Sequence, residues 1–388
     1  MGTNPFRTMP LSFFDQGPVA LLFSGGDSPG MNAFLRAAVR LGMNRDQAPV
    51  LGILEGYSGL VRTVKQVEAG EITLQKLRRN IARRPGVIGL KAHSQHIVRM
   101  DQESVSGLVV QGGIMLRSAR SMEFREPERR QQIIQLLHDL KVRALIVCGG
   151  DGSLAGAEAL KNESDLQVIG VPGTIDNDLP ITDFSLGVHS AIGTLVREID
   201  AIKDTARSHR RVMVMETMGR HSGELTQLAA IASGAEHAII PEDGFLTNDR
   251  IRKLAEEMEG ALSHGRSHSI VLVAEGVQMD KHPWESPAWV VSSRLAEAFR
   301  HGPFKDIETR ATVLGHLQRG GRPAPYDALL AAEFASVAWD AIAAGRQSGV
   351  TVLQNGEFKL VPFGSPPACD RQARLKRLHL LHASLSAW

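Results

Sequence analysis

Short, unbroken apolar runs recur along the chain, and most of them lead directly into glycine or acidic residues. Strands buried on both faces of a parallel sheet have this continuous pattern. Between the runs, apolar residues recur at helical spacing, as Ile192, Leu195 and Ile199 do. Such alternation predicts a doubly wound α/β protein. The predicted strands are Val19–Phe23, Ala144–Val147, Val168–Val171, Val212–Met215, Ile270–Ala274 and Ala311–Leu314. The predicted helices are Met31–Arg40, Glu128–Leu140 and His189–Thr205.

Two stretches lack this regularity. Residues 61–98 are rich in Arg and Lys and predict an excursion on the surface. Residues 276–288 contain Pro283 and Pro287 and predict a loop. Outside these two stretches, the polar motifs follow the ends of the predicted strands.

Composition and charge narrow the class of protein. The chain has 388 residues, 43% of them hydrophobic and 22% charged, which is typical of globular proteins with more than one domain. A net charge of +2 gives no reason to expect a nucleic acid or a membrane as partner. The two cysteines cannot form a disulfide framework, and residues 1–16 lack the pattern of a signal peptide, so we expect a cytoplasmic protein.

Polar motifs follow the predicted strands at the edge where parallel sheets bind ligands. In Ser24–Gly30, glycines precede a predicted helix, whose free N–H groups suit phosphate; the alternative is an ordinary strand–helix turn. In Gly149–Ser153, two glycines make room for a polyphosphate, and Asp151 can hold the magnesium that neutralises it. The alternative for Asp151 is a helix cap.

Thr174–Asp178 places two carboxylates two residues apart. If the segment is extended, Asp176 and Asp178 point to the same side. One can then take a proton from an attacking hydroxyl while the other serves the metal or orients the first. An Asx-type turn is the structural alternative, and both interpretations can hold together. Cations at other strand ends, in His316–Gly321 and at Arg220, predict an anionic substrate.

These motifs together resemble the 6-phosphofructokinase family over about residues 18 to 365. The resemblance lies in Gly25–Asn32, Gly149–Ser153, Pro172–Asp178, Met218–Arg220 and Leu314–Gly321, which occur in the family's order. It implies two doubly wound, Rossmann-like domains with the active site in the cleft between them. The implied ATP- and magnesium-binding domain covers 17–187 and 317–367, and the fructose-6-phosphate domain covers 188–316 and 368–388.

The resemblance also implies a role for each site residue. Asp176 is the implied catalytic base, supported by Asp178, with Thr174 and Arg220 also catalytic, and Asp151 is the implied Mg²⁺ ligand. The implied ATP site comprises Gly26, Arg120, Gly150, Asp151, Gly152 and Ser153. The implied fructose 6-phosphate site comprises Thr174, Ile175, Asp176, Met218, Gly219, Arg220, Glu275, His316 and Arg319, with Arg211 and Arg310 reaching the substrate of a neighbouring subunit. An allosteric homotetramer is the family expectation.

The family resemblance also predicts the phosphoryl donor. Pyrophosphate-using relatives carry Asp and Lys where this chain has Gly152 and Gly173, so we expect ATP as the donor. Arg117 departs from the family, because a glycine is usual there. The alternatives are pyrophosphate as donor, sedoheptulose 7-phosphate as acceptor, an NAD or lipid kinase with a similar glycine turn, and a non-catalytic regulatory subunit that binds sugar phosphate.

Overall fold

The computed structural model describes residues 12–83, 95–300, 302–345, 347–368 and 370–386. These residues form two compact units. The first unit comprises the described residues up to Thr174, Ile181–Gly187 and Gly321–Ala368. The second comprises Ile175–Pro180, Val188–Gly320 and the described residues beyond 369. Each unit has its own sheet, mainly parallel in the first unit and parallel in the second, so the prediction of two doubly wound domains is confirmed.

The first unit is built on a sheet of seven strands within the described residues, with helices on both faces. Its strands are β1 (Val19–Ser24), β2 (Val50–Ile53), β3 (Ile97–Met100), β4 (Ala144–Gly149), β5 (Gln167–Pro172), β10 (Gly349–Gln354) and β11 (Glu357–Val361). Its helices are α1 (Ser12–Asp15), α2 (Met31–Asn44), α3 (Gly56–Glu68), α4 (Leu74–Arg83), α5 (Pro127–Asp139), α6 (Asp151–Glu163) and α11 (Pro325–Ala343). The strand order is β11-β10-β5-β4-β1-β2-β3, and only the pairings of β3 and β11 are antiparallel.

The apolar run of β1 shows why this sheet is covered on both sides. Val19, Leu21 and Phe23 pack into a core with α2 and α11, whereas Ala20 and Leu22 pack into a second core with α3 and α5. Successive strand residues point to opposite faces, so an unbroken apolar run needs a helical layer on each face. In the α11 layer, the indole of Trp339, which is fully buried, donates a hydrogen bond of 2.7 Å to the carbonyl of Ala38.

The second unit has a sheet of four parallel strands in the part of the chain that the structure describes. Its strands are β6 (Val212–Thr217), β7 (His237–Ile239), β8 (Ser269–Ala274) and β9 (Thr309–Val313), in the order β7-β8-β6-β9. Its helices are α7 (Val188–His209), α8 (Glu224–Ser233), α9 (Asn248–Ser263), α10 (Pro287–Phe299) and α12 (Arg371–Ser386). Alternate residues of β6 again enter two different cores, Val214 with α9 and α10, and Met215 with α7 and α8.

All of the predicted strands and helices are present, with ends that move by a few residues. The prediction for residues 61–98 is wrong where it can be compared. α3 and α4 occupy most of its described part, and Val61, Val64 and Leu77 are buried in the first-unit core because the Arg and Lys residues lie on the outer faces of amphipathic helices. Residues 84–94 lie outside the described residues.

The segment Ile175–Pro180 packs with the second unit, although the sequence-based division placed it in the first. Ile175 is fully buried in the core shared by α7 and α8, and Asn177 forms a hydrogen bond to Glu224 of α8. The domain boundaries drawn from the sequence stay a prediction. No helix in the described ranges combines the length and apolar character that crossing a membrane requires.

Candidate active site

Two glycine turns lie side by side in the first unit. β1 and β4 are neighbours, and Ser24 is paired in register with Gly149, so the turns that follow these strands meet at the same sheet edge. A Cβ on Gly149 would lie 2.3 Å from the Ser24 carbonyl oxygen, and Gly25 has a φ of 88°. Both positions therefore require glycine, the first for space and the second for its backbone conformation.

The N-terminus of α6 faces solvent beside these turns. Asp151 and Gly152 are exposed at its first turn, while Ser153 is buried and its carbonyl accepts a hydrogen bond of 2.9 Å from the Tyr57 hydroxyl. Free N–H groups at a helix start attract phosphate. A Cβ on Gly152 would meet nothing within 4 Å, so the space above this turn is open.

The exposed Asp151 carboxylate fits a magnesium ion that arrives with a nucleotide. Mg²⁺ keeps several waters and takes one or two carboxylates plus phosphate oxygens, so it needs no cage of protein ligands. The described residues contain no cluster of three or more acidic, His or Cys side chains that could hold a metal. A single accessible carboxylate beside an anion-binding helix end has the chemistry that this kind of site needs.

The segment that carries Arg120 is anchored to the first glycine turn. The Ser118 hydroxyl donates a hydrogen bond of 2.7 Å to the Gly25 carbonyl, and the Arg120 side chain is exposed. Arg117 has a φ of 61°, a left-handed conformation that favours glycine. Arg117 thus stands in a conformation that glycine adopts without strain, and its side chain is exposed.

The Thr174–Asp178 segment is bent, so the condition of an extended segment, on which the same-side arrangement rests, is not met. Asn177 has a φ of 47°, a left-handed conformation that Asn tolerates better than most residues. The side chain of Asp176 is 9% exposed, and Asp178 is half-buried. The same-side geometry of an extended strand therefore does not apply, because the left-handed residue turns the chain between the two carboxylates.

Asp176 has an unusual pKa. Burial, the neighbouring charge of Asp178 and that of Glu275 raise it, while Arg319 and Arg220 lower it, and the resulting pKa is about 6. The Arg319 Nη2 atom lies 4.0 Å from the Asp176 Oδ1 atom. A buried carboxyl with a pKa near neutrality, held among charged groups, is typical of a general base.

Loops after the neighbouring strands β6, β8 and β9 hold the predicted sugar-phosphate residues together. After β6, Gly219 has a φ of 136° and Arg220 one of 56°. The backbone N–H of Arg220 donates to Glu275 Oε1 at 2.8 Å, joining the ends of β6 and β8. The backbone N–H of Met218 donates to Gln318 Oε1 at 3.0 Å, joining the ends of β6 and β9.

The loop after β9 presents its two cationic positions differently. His316 is exposed, whereas Arg319 is half-buried and directed at Asp176. Both lie in the short 3₁₀ segment Gly315–Arg319. A substrate anion bound here would meet an exposed imidazole and a guanidinium that is already oriented by a carboxylate.

The structure does not bring Arg211 and Arg310 to this cluster. Both lie at the start of their strands, where each forms an ion pair with Glu308. Met218, Arg220 and Arg319 instead follow the ends of those strands. The predicted role of these two arginines at a neighbouring subunit's substrate stays a prediction.

Sequence reasoning missed three residues that organise this cluster. Gln318 is fully buried and fixes the Met218 loop, Asn177 received no role, and Glu224 was not singled out. The amide of Asn177 donates to Glu224 Oε1 at 2.7 Å. Gln318 and Asn177 stand inside the recognised motifs, so their position was a usable signal. Glu224 offered none, because a single Glu that begins a helix normally faces water.

A family model, sequence relatives and solved structures all identify one protein family. A family model described as Phosphofructokinase matches residues 18–342. An ATP-dependent 6-phosphofructokinase of Halothermothrix orenii is 37% identical over 363 residues, covering 92% of this chain and 96% of the relative. Phosphofructokinase from Saccharomyces cerevisiae superposes with a TM-score of 0.73 at 31% identity over 95% of this chain. This chain spans only 47% of the yeast chain's length.

A more distant structure is similar in fold alone. The pyrophosphate-dependent phosphofructokinase from Marinobacter aquaeolei has a TM-score of 0.67 at 17% identity, covering 93% of this chain and 91% of that one. The family match covers most of the chain, and both of these relatives above 30% identity are named as phosphofructokinases. The chain, with its paired glycine turns and its buried Asp176 among arginines, therefore belongs to the phosphofructokinase family.

Proposed function

We propose that this protein is an ATP-dependent 6-phosphofructokinase, which transfers the γ-phosphoryl group of ATP to the 1-hydroxyl of fructose 6-phosphate. The observation that carries the proposal is Asp176, which is buried beside Arg319 and has a pKa of about 6. Such a carboxyl is ionised at neutral pH and more basic than an ordinary Asp, as a general base requires. The curated relatives named as ATP-dependent enzymes support the choice of reaction.

The first unit would hold the nucleotide. The glycine turns and the N-terminus of α6 offer N–H groups to its phosphates, with Gly26, Gly150, Gly152 and Ser153 at the contact positions and Arg120 as an exposed cation. Asp151 would hold Mg²⁺, which when bound neutralises charge on the transferring phosphate. A nucleotide phosphate would supply the oxygen ligands that a single carboxylate leaves open.

The second unit would hold the sugar phosphate and supply the base. Met218, Gly219, Glu275 and His316 would bind the sugar, with Thr174 and Ile175 beginning the turn that carries the base. Asp176 would accept the proton of the 1-hydroxyl as that oxygen attacks phosphorus. Arg220 would balance the phosphoryl charge that develops during transfer, and Arg319 would bind the sugar phosphate. Asp178, whose charge raises the pKa of Asp176, would keep the base strong.

Space around two glycines supports ATP over pyrophosphate as the donor. A Cβ on Gly173 would lie 2.9 Å from both the Cys148 sulfur and the Met31 methyl group, so a lysine cannot be accommodated without rearrangement. Above Gly152 the space is open, as a nucleotide α-phosphate requires. Both positions differ from those expected of a pyrophosphate-dependent enzyme.

An oligomer and a cytoplasmic location complete the proposal. Arg211 and Arg310 lie at the opposite ends of their strands from Arg220 and Arg319. As the family resemblance implies, they would serve the substrate of a neighbouring copy in a homotetramer. The cytoplasm is where ATP and sugar phosphates are available together.

The test is an initial-rate assay with fructose 6-phosphate and Mg²⁺, with ATP in one arm and pyrophosphate in the other. The expected result is turnover with ATP alone, which EDTA abolishes and Asp176→Asn lowers by orders of magnitude. Turnover with pyrophosphate alone would refute the donor argument. If there is no turnover with either donor, sedoheptulose 7-phosphate is the next acceptor to assay. No turnover with that acceptor would favour a non-catalytic subunit.

A further inference from the structure

A fully buried carboxylate with no role in the chemistry lies behind the Asp176 turn. Glu224 is 1% exposed and begins α8. Burial raises the pKa of Glu224, while Arg374, the hydrogen bond from Asn177 and Arg371 lower it. A buried charge of this kind persists only where it is paired and hydrogen-bonded, so its partners indicate what it holds in place.

One oxygen of Glu224 joins two distant parts of the second unit. Glu224 Oε1 accepts a hydrogen bond of 2.7 Å from the amide of Asn177 and lies 2.8 Å from Arg374 Nη2. Asn177 stands between Asp176 and Asp178 and has the left-handed φ of 47°. The contact therefore fixes the residue at which the chain turns between the two carboxylates.

The cations come from α12, far along the chain. Arg371 Nη2 lies 3.7 Å from Glu224 Oε2 and donates a hydrogen bond of 2.8 Å to the Ser222 hydroxyl. The backbone N–H of Ser222 donates to the Gly219 carbonyl at 2.8 Å, within the loop that presents Arg220. α12 thus contacts both the carboxylate turn, through Glu224, and the loop that follows β6.

We infer that Arg374, Glu224 and Asn177 form a positioning relay by which α12 sets the orientation of Asp176, an inference that rests on the proposed function. None of the three needs to touch the substrate. Arg374 fixes Glu224, Glu224 fixes the Asn177 amide, and the amide fixes the turn. A base must lie within hydrogen-bond reach of the proton it takes, so a small displacement of the turn lowers turnover more than it lowers substrate binding.

The experiment is a double-mutant cycle that compares Arg374→Met, Asn177→Gly and the double variant. The measured quantity is kcat with ATP and fructose 6-phosphate as substrates. Methionine keeps the apolar stem of Arg374, and glycine keeps access to the left-handed φ while removing the amide. We expect each single variant to lower kcat by about 10-fold or more, with the KM for fructose 6-phosphate changed by less than about twofold. The double variant should be no slower than Asn177→Gly alone, because both changes cut the same chain of contacts.

Controls separate positioning from folding. Arg377→Met alters an exposed arginine on the same helix and should leave kcat unchanged. Arg374→Lys keeps a cation near Glu224 and should recover part of the lost kcat. If Arg374→Met does not fold, Arg371→Met replaces it in the cycle, since its guanidinium lies further from Glu224 and Arg374 stays in place.

The outcomes are distinguishable from failure of the proposed function. An inactive wild-type protein would refute the function itself. An active wild type whose two losses multiply in the double variant would overturn the relay. A lowered melting temperature with kcat unchanged in Arg374→Met would also overturn it, leaving α12 a purely structural support.

Discussion

Replacing Arg319 with methionine should move the acid limb of the pH–activity profile upward. Arg319 Nη2 lies 4.0 Å from Asp176 Oδ1, and both side chains are largely removed from water, at 17% and 9% exposure. At that distance, two opposite charges attract by about 4 kcal/mol at an effective dielectric constant of 20. A carboxyl beside an arginine has a pKa roughly 1–3 lower than it would have without one.

The sign follows from which form the cation favours. Arg319 stabilises the carboxylate, so its loss raises the pKa of Asp176 from about 6 to roughly 7–9. Asp176 accepts a proton only as the carboxylate, so activity is lost over a wider range of acid pH. At pH 7, a pKa of ~7.5 instead of ~6 reduces the ionised fraction by about fourfold, and activity recovers near pH 9.

The assay is kcat/KM for fructose 6-phosphate against pH, which reports ionisations of the free enzyme and free substrate. The substrate's own phosphate ionises near pH 6 as well, with a pKa of about 6. That ionisation is the same for every variant, so an upward shift must come from the enzyme. Arg322→Met, which changes an exposed arginine three positions further along the chain, is the control. An unmoved limb with activity lowered at every pH would refute Asp176 as the titrating base and leave Arg319 a binding residue.

Other changes test the rest of the site. Asp176→Asn should lower kcat by about two to four orders of magnitude with an unchanged melting temperature; near-normal turnover would remove Asp176 from the base role. Gly149→Ala should destabilise the protein by about 1–3 kcal/mol in denaturant titration, because its Cβ meets the Ser24 carbonyl at 2.3 Å, whereas Gly152→Ala should be tolerated; equal effects would contradict this. Gly152→Asp should raise the KM for ATP by about 10-fold or more through repulsion of its phosphates, with normal melting; an unchanged KM would place the nucleotide elsewhere.

The sequence predicted best those strands whose residues alone show a clear pattern. Unbroken apolar runs predicted β1, β4, β5, β6 and β8 because strands covered on both faces admit little else. A short apolar run also predicted β9, although β9 is a partly exposed edge strand. β7, of only three residues, has too few positions to show a pattern. β11 is a partly exposed edge strand that depends on its pairing with β10, and no local signal announces such a pairing.

In the candidate site too, local motifs could be predicted from the sequence and long-range contacts could not. The glycine turns and the Asp176 motif are contiguous in sequence, so they were found by inspection of the chain. Glu224 acquires its importance from Asn177 and Arg374, which lie 47 and 150 positions away along the chain. Whether a glutamate is buried and paired depends on which elements the fold packs against it, and spacing alone does not contain that information.

The position of β10 has a consequence for how the protein is made. β5 is flanked by β4 on one side and by β10 on the other, with Gly349 paired to Ile169 across 180 positions of sequence. At a synthesis rate of about 5–20 residues per second, that edge of β5 waits roughly 10–40 s for its partner to leave the ribosome. During this interval an apolar strand presents unsatisfied backbone groups, which is the condition under which nascent chains aggregate and chaperones engage them.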